Sequence, residues 1–541
     1  MVNRKRIYEQ NFYLSRKINM QKTTRYRIPQ TVPLREIVRE LRGHYSLKRD
    51  KKQRAHFSFF DTFDWRLFRA GFQLVRTGEW ILLQKREDGS TVETISCQVE
   101  NSPKFWWEFP PGDCREKLGS LLDVRALLKL VTVEEDFDHF RILNRDRKTV
   151  LHVFAGSVHL IEQESRQRIC EEVRVAALRG YQQEAGELEK FLRSLGCLPA
   201  KKTILNEALE ISGYQPGRYS SKLDIQLTPE MTLGQAGVKI FTYLAQVIRQ
   251  NETGILADTD SEFLHDFRVA IRRTRSALGQ IKEIFPENIS QKFKSDFAEI
   301  QKQTNRLRDL DVYLLNKDTY REFLPEEIRP GLDLLFGQIA RERKSELKKV
   351  VRLLKGNFYG KTMQEWENFL QTYAPDEHEN TGNRETPVKP AAQKFILKKY
   401  RQVLKIGSRI DDGTPDSELH RLRIECKKLR YLLEFFASLF PPAEMKKLIG
   451  QLKKLQDNLG EFNDYSVQRQ RLEDFWKEKL NDQTHSPQIA VAVGGLVTQL
   501  YQLQKEARRD FSEIFRNFSR KKNRAIYQNL FAAKKSDGGS S

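Results

Sequence analysis

An α+β domain followed by an all-helical domain is the architecture that this 541-residue sequence predicts. Between about Thr23 and Val175, short runs such as HFSFF, FQLVR and WILLQK are rich in aromatic and β-branched residues. Turn signals at Ala70-Gly71, Thr77-Gly78 and Asp88-Gly89 separate them. Beyond Gly213-Tyr-Gln-Pro-Gly the apolar period becomes that of long amphipathic helices, from Thr232 past Asn517. Inside this helical half, one basic motif occurs twice.

In chain order, a basic segment 1–22 is expected to be disordered, and 23–214 forms the α+β domain. Helices are expected to interrupt its strands at Pro33–Leu41, Glu116–Leu130 and Gln183–Leu195. A first helical bundle follows at 225–373. APDEHENTGNRETPVKP (374–390) accumulates charge, Pro and Asn and reads as a flexible linker. A second bundle is expected at 391–520 and a basic, disordered tail at 521–541.

With 39% hydrophobic and 10% aromatic residues the chain can build real cores, so its charge must decorate folded surfaces. Lys and Arg number 94 against 73 Asp and Glu, a net charge of +21. A field of that sign predicts a polyanionic partner: nucleic acid, anionic lipid or polyphosphate. The five cysteines lack CxxC spacing, which argues against a zinc site and fits a reducing compartment. The N-terminus is too charged for a signal-peptide core, and Ile489–Val497, the longest weakly polar stretch, is about half a membrane span. A cytoplasmic protein without a membrane segment is expected.

The repeat aligns LHDFRVAIRRTRSAL (Leu264–Leu278) with LHRLRIECKKLRYLL (Leu419–Leu433). His265 falls over His420, Arg268 over Arg423, Arg272-Arg273 over Lys427-Lys428, and Arg275 over Arg430. The offset is 420 − 265 = 155, and LRDLDV (Leu307–Val312) and FNDYSV (Phe462–Val467) share it, so the helical half is a duplication. At 100° per residue, His265, Arg268, Arg272 and Arg275 fall within an arc of roughly 80°, with Phe263, Phe267, Ala270, Ile271 and Leu278 behind them. The second copy matches: His420, Arg423, Lys427 and Arg430 lie in front of Leu422, Cys426, Leu429, Leu433 and Phe436. Neither arc carries a carboxylate, and only Glu434 lies one turn from Arg430. A charged row on a helix is most often a solvated face. The repetition, the recurring histidine and the flanking arginines favour anion binding here.

These H-x-x-R-[VI]-x-x-[RK]-[RK]-x-R helices, each followed by an [RN]-D-x-[DS]-V segment, resemble the CHAD domain, the conserved histidine α-helical domain, over about Thr232–Asn517. The resemblance implies two four-helix bundles related by a pseudo-twofold, with basic residues lining a groove that binds inorganic polyphosphate. The ligands it implies are His265, Arg268, Arg272, Arg273, Arg275, His420, Arg423, Lys427, Lys428 and Arg430. Arg308, whose repeat partner is Asn463, is either a further ligand or a partner of Asp309 or Asp311.

HFSFFDTFDWRLFRAGFQLV (His56–Val75) resembles a segment of CYTH domains, the triphosphate tunnel metalloenzyme fold, which implies an antiparallel β tunnel or barrel. Activity in that family needs an E-x-E-x-K first strand whose glutamates hold a divalent ion. The equivalent strand here is TTRYRIP, with Thr23 and Arg25 at the glutamate positions and Arg27 at the lysine. EEVRV retains Glu172, but Arg174 stands where another acid is expected. Arginine in those places puts positive charge where the cation belongs. Arg25, Arg27 and Lys85 stay as secondary phosphate-binding candidates, with a structural or solvent-facing role the equal alternative.

The expectation is a non-catalytic polyphosphate-binding protein of the cytoplasm and its polyphosphate granules, with no metal and no cofactor. A metal-dependent inorganic triphosphatase and an RNA- or DNA-binding protein are the alternatives.

Overall fold

The computed structural model describes residues 23–87, 90–163, 165–282, 284–373, 384–479 and 487–532. The expected disordered segment 1–22, positions 374–383 of the expected linker and the tail beyond 532 lie outside them. The chain divides into two units, Met1–Tyr219 and Ser220–Ser541.

The first unit is one ten-stranded antiparallel sheet. Its strands are β1 (Thr23–Arg27), β2 (Leu47–Arg49), β3 (Gln53–Asp61), β4 (Phe72–Thr77), β5 (Trp80–Glu87), β6 (Ser90–Gln98), β7 (Leu128–Leu143), β8 (Thr149–Glu162), β9 (Ser165–Ala177) and β10 (Leu198–Pro199). The ladder order is β10-β1-β9-β8-β7-β3-β4-β5-β6, with β2 on β7. Helices α1 (Leu34–His44), α2 (Arg66–Arg69), α3 (Asp113–Leu122), α4 (Gln182–Ser194) and α5 (Ile204–Ile211) complete the unit.

Strand alternation divides the residues between two faces. Tyr26, Phe140, Val153 and Val175 pack with Ile37 and Leu41 of α1 and Leu188 and Leu192 of α4 on one face. Phe59, Val75, Val133, Phe137, Phe154 and Val158 pack with Ala208 and Leu209 of α5 on the other. Arg25 and Arg86 lie six ladder steps apart, about 29 Å on a flat sheet. Yet Arg25, together with burial, lowers the pKa of Arg86, so the sheet curls about this second face. The curled antiparallel sheet is consistent with the tunnel that the CYTH resemblance implies.

The expected helix Glu116–Leu130 ends early, at Leu122. Asp123 takes φ 53, a left-handed conformation that stops the helix, and Leu128 already belongs to β7. The motif acids Asp61 and Asp64 build the turn into α2. Asp61 accepts from the backbone N–H of Thr62, Leu67 and Phe68 at 2.7–3.0 Å, and Asp64 accepts from Thr62 and Arg66.

The second unit comprises α6 (Leu233–Leu256), α7 (Ser261–Gln280), α8 (Glu287–Gln303), α9 (Asn305–Leu315), α10 (Lys317–Glu322), α11 (Arg329–Lys355), α12 (Asn357–Thr372), α13 (Val388–Gly407), α14 (Asp416–Phe435), α15 (Pro442–Lys479), α16 (Pro487–Phe518) and α17 (Lys521–Phe531). The duplication is visible in the bounds: α14 begins and ends 155 residues after α7, since 416 − 261 = 435 − 280 = 155. The two halves meet about a pseudo-twofold, on which a residue touches its own repeat equivalent. Thr232 bridges to Pro387, and the Tyr313 hydroxyl donates to the Gln468 carbonyl at 2.8 Å, both pairs at offset 155. Between the halves a shared core joins Leu310, Leu335 and Phe336 to Leu472, Ile489 and Leu496.

Two expected boundaries are corrected. Residues 384–390 are ordered: Arg384 is buried, its carbonyl accepts from the Gly234 N–H at 3.0 Å, and α13 begins at Val388. Residues 521–531 are the helix α17, because Tyr527 and Phe531 give the basic stretch an apolar side, buried here and stacked through Tyr527 on Tyr400.

Helices α11 and α16 approach most tightly at Gly331, where an added Cβ would lie 2.0 Å from the Gln488 carbonyl oxygen. Gly331→Ala should therefore cost about 2–3 kcal/mol in urea denaturation of the full chain. Gly337→Ala, on the same helix with open space around it, should stabilise by up to ~1 kcal/mol.

Candidate functional site

The basic faces of α7 and α14 converge on the pseudo-twofold. Arg272 and Lys427, repeat equivalents since 427 − 272 = 155, lie close enough for Arg272 to depress the lysine's pKa, and Arg423 adds to the effect. Arg272 also bears on Arg268 and on Arg423. The apolar positions behind both arcs are buried, from Phe263, Phe267 and Ile271 to Leu422, Cys426 and Leu429. Each helix thus anchors on its core side and turns its cations to the axis.

Those cations are not equally available. Arg268 spans the break between α8 and α9, donating to the Gln301 carbonyl at 2.9 Å, the Thr304 hydroxyl at 2.6 Å and Asn305 Oδ1 at 2.8 Å. It thereby joins the Thr304 N–H and hydroxyl, which also donate to the Gln301 carbonyl at the helix end. Burial and then Arg272 push its pKa down to about 10. Arg273 is buried, bonded to the Ser221 carbonyl and to Glu434 at 2.9 Å. Arg275 donates to Gln301 Oε1 and Arg430 to Gln456 Oε1, which are equivalent contacts, and Arg430 also holds Glu434 at 2.7 Å. Lys428 is paired with Glu425 at 2.7 Å. Arg308 faces Glu262 at 3.5 Å and bonds the Ser261 carbonyl, rather than pairing with Asp309 or Asp311 at contact distance. The arcs lack carboxylates of their own, as the sequence shows, but neighbouring helices supply some.

Arg272, Arg423 and Lys427 remain the least compensated. Arg272 donates to the Tyr431 hydroxyl at 3.0 Å, and Arg423 meets Asp464 at 3.3 Å with its Nε buried and unbonded. No hydrogen bond or ion pair reaches Lys427 among the described residues. Burial first, then Arg272 and Arg423, push its pKa from 10.5 down to about 7. Removing charges from water without pairing them is costly, and an anion placed among the three would offset that cost.

The two histidines differ. His420 is exposed and bonds Asn463 Oδ1 at 2.8 Å. His265 lies with Glu262 and Asp266, their ligand atoms all within 4.8 Å. Among the described residues this is the one group with donors suited to a metal ion, and Arg308 already faces its Glu262.

On the sheet unit, the secondary candidates are engaged by acids or turned away. Arg25 holds Glu172 at 2.8 Å, and Arg174 holds it at 2.6 Å while also bonding Glu135 at 2.7 Å. The two guanidiniums overcome the burial of Glu172 and lower its pKa to about 2. Arg27 is paired with Glu207 of α5. Lys85 shares the strand face of Ile81 and Leu83 and pairs with Glu87 at 2.8 Å, while Arg86 points in beside Arg25. These residues do not fit the divalent ion that the CYTH resemblance implies, because the retained acid is already bonded by two guanidiniums.

Sequence reading missed Arg471, Tyr431 and Arg86. Arg471 pairs with Asp309 and acts on Arg268, but its repeat equivalent is Asn316, so the duplication gave no signal for it. Lys427 generates a stability prediction. In the unfolded chain it keeps its ordinary value, so between pH 7 and 10.5 the unfolded state binds the proton that the folded state has released. The destabilisation is fully present below pH 7 and fades as pH rises towards 10.5. Lys427→Met should stabilise the helical unit by on the order of 1 kcal/mol at pH 6, with the gain shrinking by pH 10, in urea titrations at both pH values.

A family model described as the CHAD domain matches residues 239–473. The crystal structure of the CHAD domain from the plant Ricinus communis is similar at 22% identity and TM-score 0.47, covering 59% of this chain and 99% of that one. PptA from Streptomyces chartreusis is similar at 12% identity and TM-score 0.42, covering 53% and 100%. No curated protein matches. With both copies of the histidine helix in place about the axis and the family model spanning them, the helical unit of this chain carries a CHAD domain.

Proposed function

We propose that this protein binds inorganic polyphosphate without catalysis, at the cation cluster where α7 and α14 meet. The observation that carries the reading is Lys427, part-buried between Arg272 and Arg423 with no acid bonded to it. Two of the three cations come from one half and one from the other, so a single polymer would engage both halves at once. Arginine forks grip paired phosphate oxygens, and the lysine adds a point charge. The chain acts in the cytoplasm, at polyphosphate granules. No described helix is long and apolar enough to cross a membrane. Nucleic acid is the second reading, since it presents phosphates too, but no base-reading motif accompanies the cluster.

Affinity for polyphosphate should fall steeply with salt, through counterion release. Arg272→Glu with Lys427→Glu should weaken it by about 100-fold or more while circular dichroism stays unchanged. Unaltered affinity in that folded variant would refute the reading. Binding should also restore the Lys427 proton. At pH 8, calorimetry in buffers of different ionisation enthalpy should show proton uptake, and Lys427→Arg should remove the uptake while keeping the affinity. For the sheet unit, tripolyphosphate with magnesium or manganese should release no phosphate. Turnover lost on Glu172→Gln would instead make it an enzyme.

A further inference from the structure

Helix α13 has six cations and no Asp or Glu. Four of them, Lys394, Lys398, Arg401 and Lys405, are exposed and recur at intervals of four, three and four residues. That spacing keeps them within an arc of roughly 60° over about 16 Å. None of the four side chains makes a hydrogen bond or ion pair among the described residues. Lys399, off this arc, is the one that turns to an acid, Glu425 at 2.6 Å. Like charges at these spacings oppose the helix, so the row has no stabilising role of its own.

Helix α17 packs against another side of α13. Tyr400 of α13 stacks on Tyr527 of α17 at 3.6 Å, and Arg524 lies near enough to bear on the Tyr400 hydroxyl. Arg520, Lys521 and Lys522, at the start of α17, are exposed. From Ile514 to Ser536 the sequence has no acid at all.

The duplication did not supply this row. Its equivalents in the first half are Lys239, Tyr243, Gln246 and Gln250. There Lys239 donates to the Gln226 carbonyl and Tyr243 to the carbonyls of Ser220 and Lys222, so that chain segment covers the first two positions, and the exposed other two are neutral glutamines. Nor is the row part of the axis cluster. α13 packs behind α14, on the side of Glu425 and the buried Cys426, whereas Arg423 and Lys427 turn towards Arg272.

We infer that the outer face of α13 is a second attachment surface for a phosphate polymer, separate from the axis cluster. The inference rests on the reading that the ligand of this protein is such a polymer. Neither helix exposes an aromatic ring on which bases could stack, and neither exposes a large apolar side chain to enter a membrane. What the surface offers is a line of mostly lysine point charges, suited to a bare, flexible polyanion without demanding a fixed geometry. A long chain held at both surfaces gains effective concentration that a short one cannot.

The test uses the full-length chain with long polyphosphate, tripolyphosphate and single-stranded RNA, titrated at several salt concentrations. The quadruple variant Lys394→Gln, Lys398→Gln, Arg401→Gln, Lys405→Gln keeps good helix formers. It should bind long polyphosphate at least tenfold more weakly at low salt and lower the log–log salt slope by about 3. Tripolyphosphate affinity should stay unchanged. Equal affinity and slope for the long polymer in the folded variant would overturn the inference, as would a loss confined to RNA. The Arg272→Glu, Lys427→Glu variant separates the two readings. If it leaves tripolyphosphate binding intact while the quadruple variant loses the long polymer, the axis cluster fails as the site and the outer surface stands.

Discussion

A duplicated basic helix brought to a pseudo-twofold axis forces like charges together, and the rest of the helical unit is arranged around that constraint. In an isologous contact each residue at the axis faces its own equivalent. A cation on the axis-facing side of the repeat is therefore placed against a cation, as Arg272 is with Lys427. Three devices hold the arrangement. The apolar backs of α7 and α14 are fully engaged in core, Glu434 reaches both Arg273 and Arg430, and Asp309 and Asp464 stand at the flanks with Arg471 and Arg423. What they leave uncompensated is concentrated at the axis.

The two halves have diverged in how they use equivalent residues. Helix α15 is continuous where its counterpart breaks at Thr304 into α8 and α9. At the break the Gln301 carbonyl, the Thr304 hydroxyl and the Asn305 side chain all accept from Arg268. Arg423, its equivalent, faces an unbroken helix and keeps its Nε unbonded. A local irregularity thus decides which of two identical side chains is available to a ligand. A second asymmetry sets α13 apart from α6, where Lys239 and Tyr243 are engaged by carbonyls of Gln226 and Ser220 and the next two positions are glutamines.

Most of the fold was legible because the signals are periodic. The switch at Gly213–Gly217, the alternation of the strands and the 155-residue offset place the two units, and the offset recurs in helix bounds and axis contacts. The site was legible as a set of residue types on a face, and the structure brings Arg272, Arg423 and Lys427 together there. The Arg430–Glu434 pair was legible as an i,i+4 spacing, but the rest of the ranking was not, because Gln301 and the reach of Glu434 to Arg273 lie across helices, and helical periodicity carries no information about what a neighbour presents. Boundaries failed for local reasons: a positive φ at Asp123, a buried Arg384 and a basic helix α17 whose Tyr527 and Phe531 outweigh its charge.

The sheet unit follows the opposite electrostatic logic. On the concave side, Arg25 and Arg174 converge on Glu172 where its burial alone would raise its pKa, and the carboxylate stays ionised with a pKa of about 2. A guanidinium supplies positive charge and directional N–H donors together, so it neutralises a buried acid without any added ion. Arg27 closes on Glu207 of α5, whose Ala208 and Leu209 join the apolar lining of the same face. Arg25, Arg27 and Arg174 are thereby neutralised by acids of the sheet unit. In the helical unit Lys427 has no acid bonded to it; in the sheet unit Arg25, Arg27 and Arg174 each have one, and a phosphate bound by these three would have to displace it.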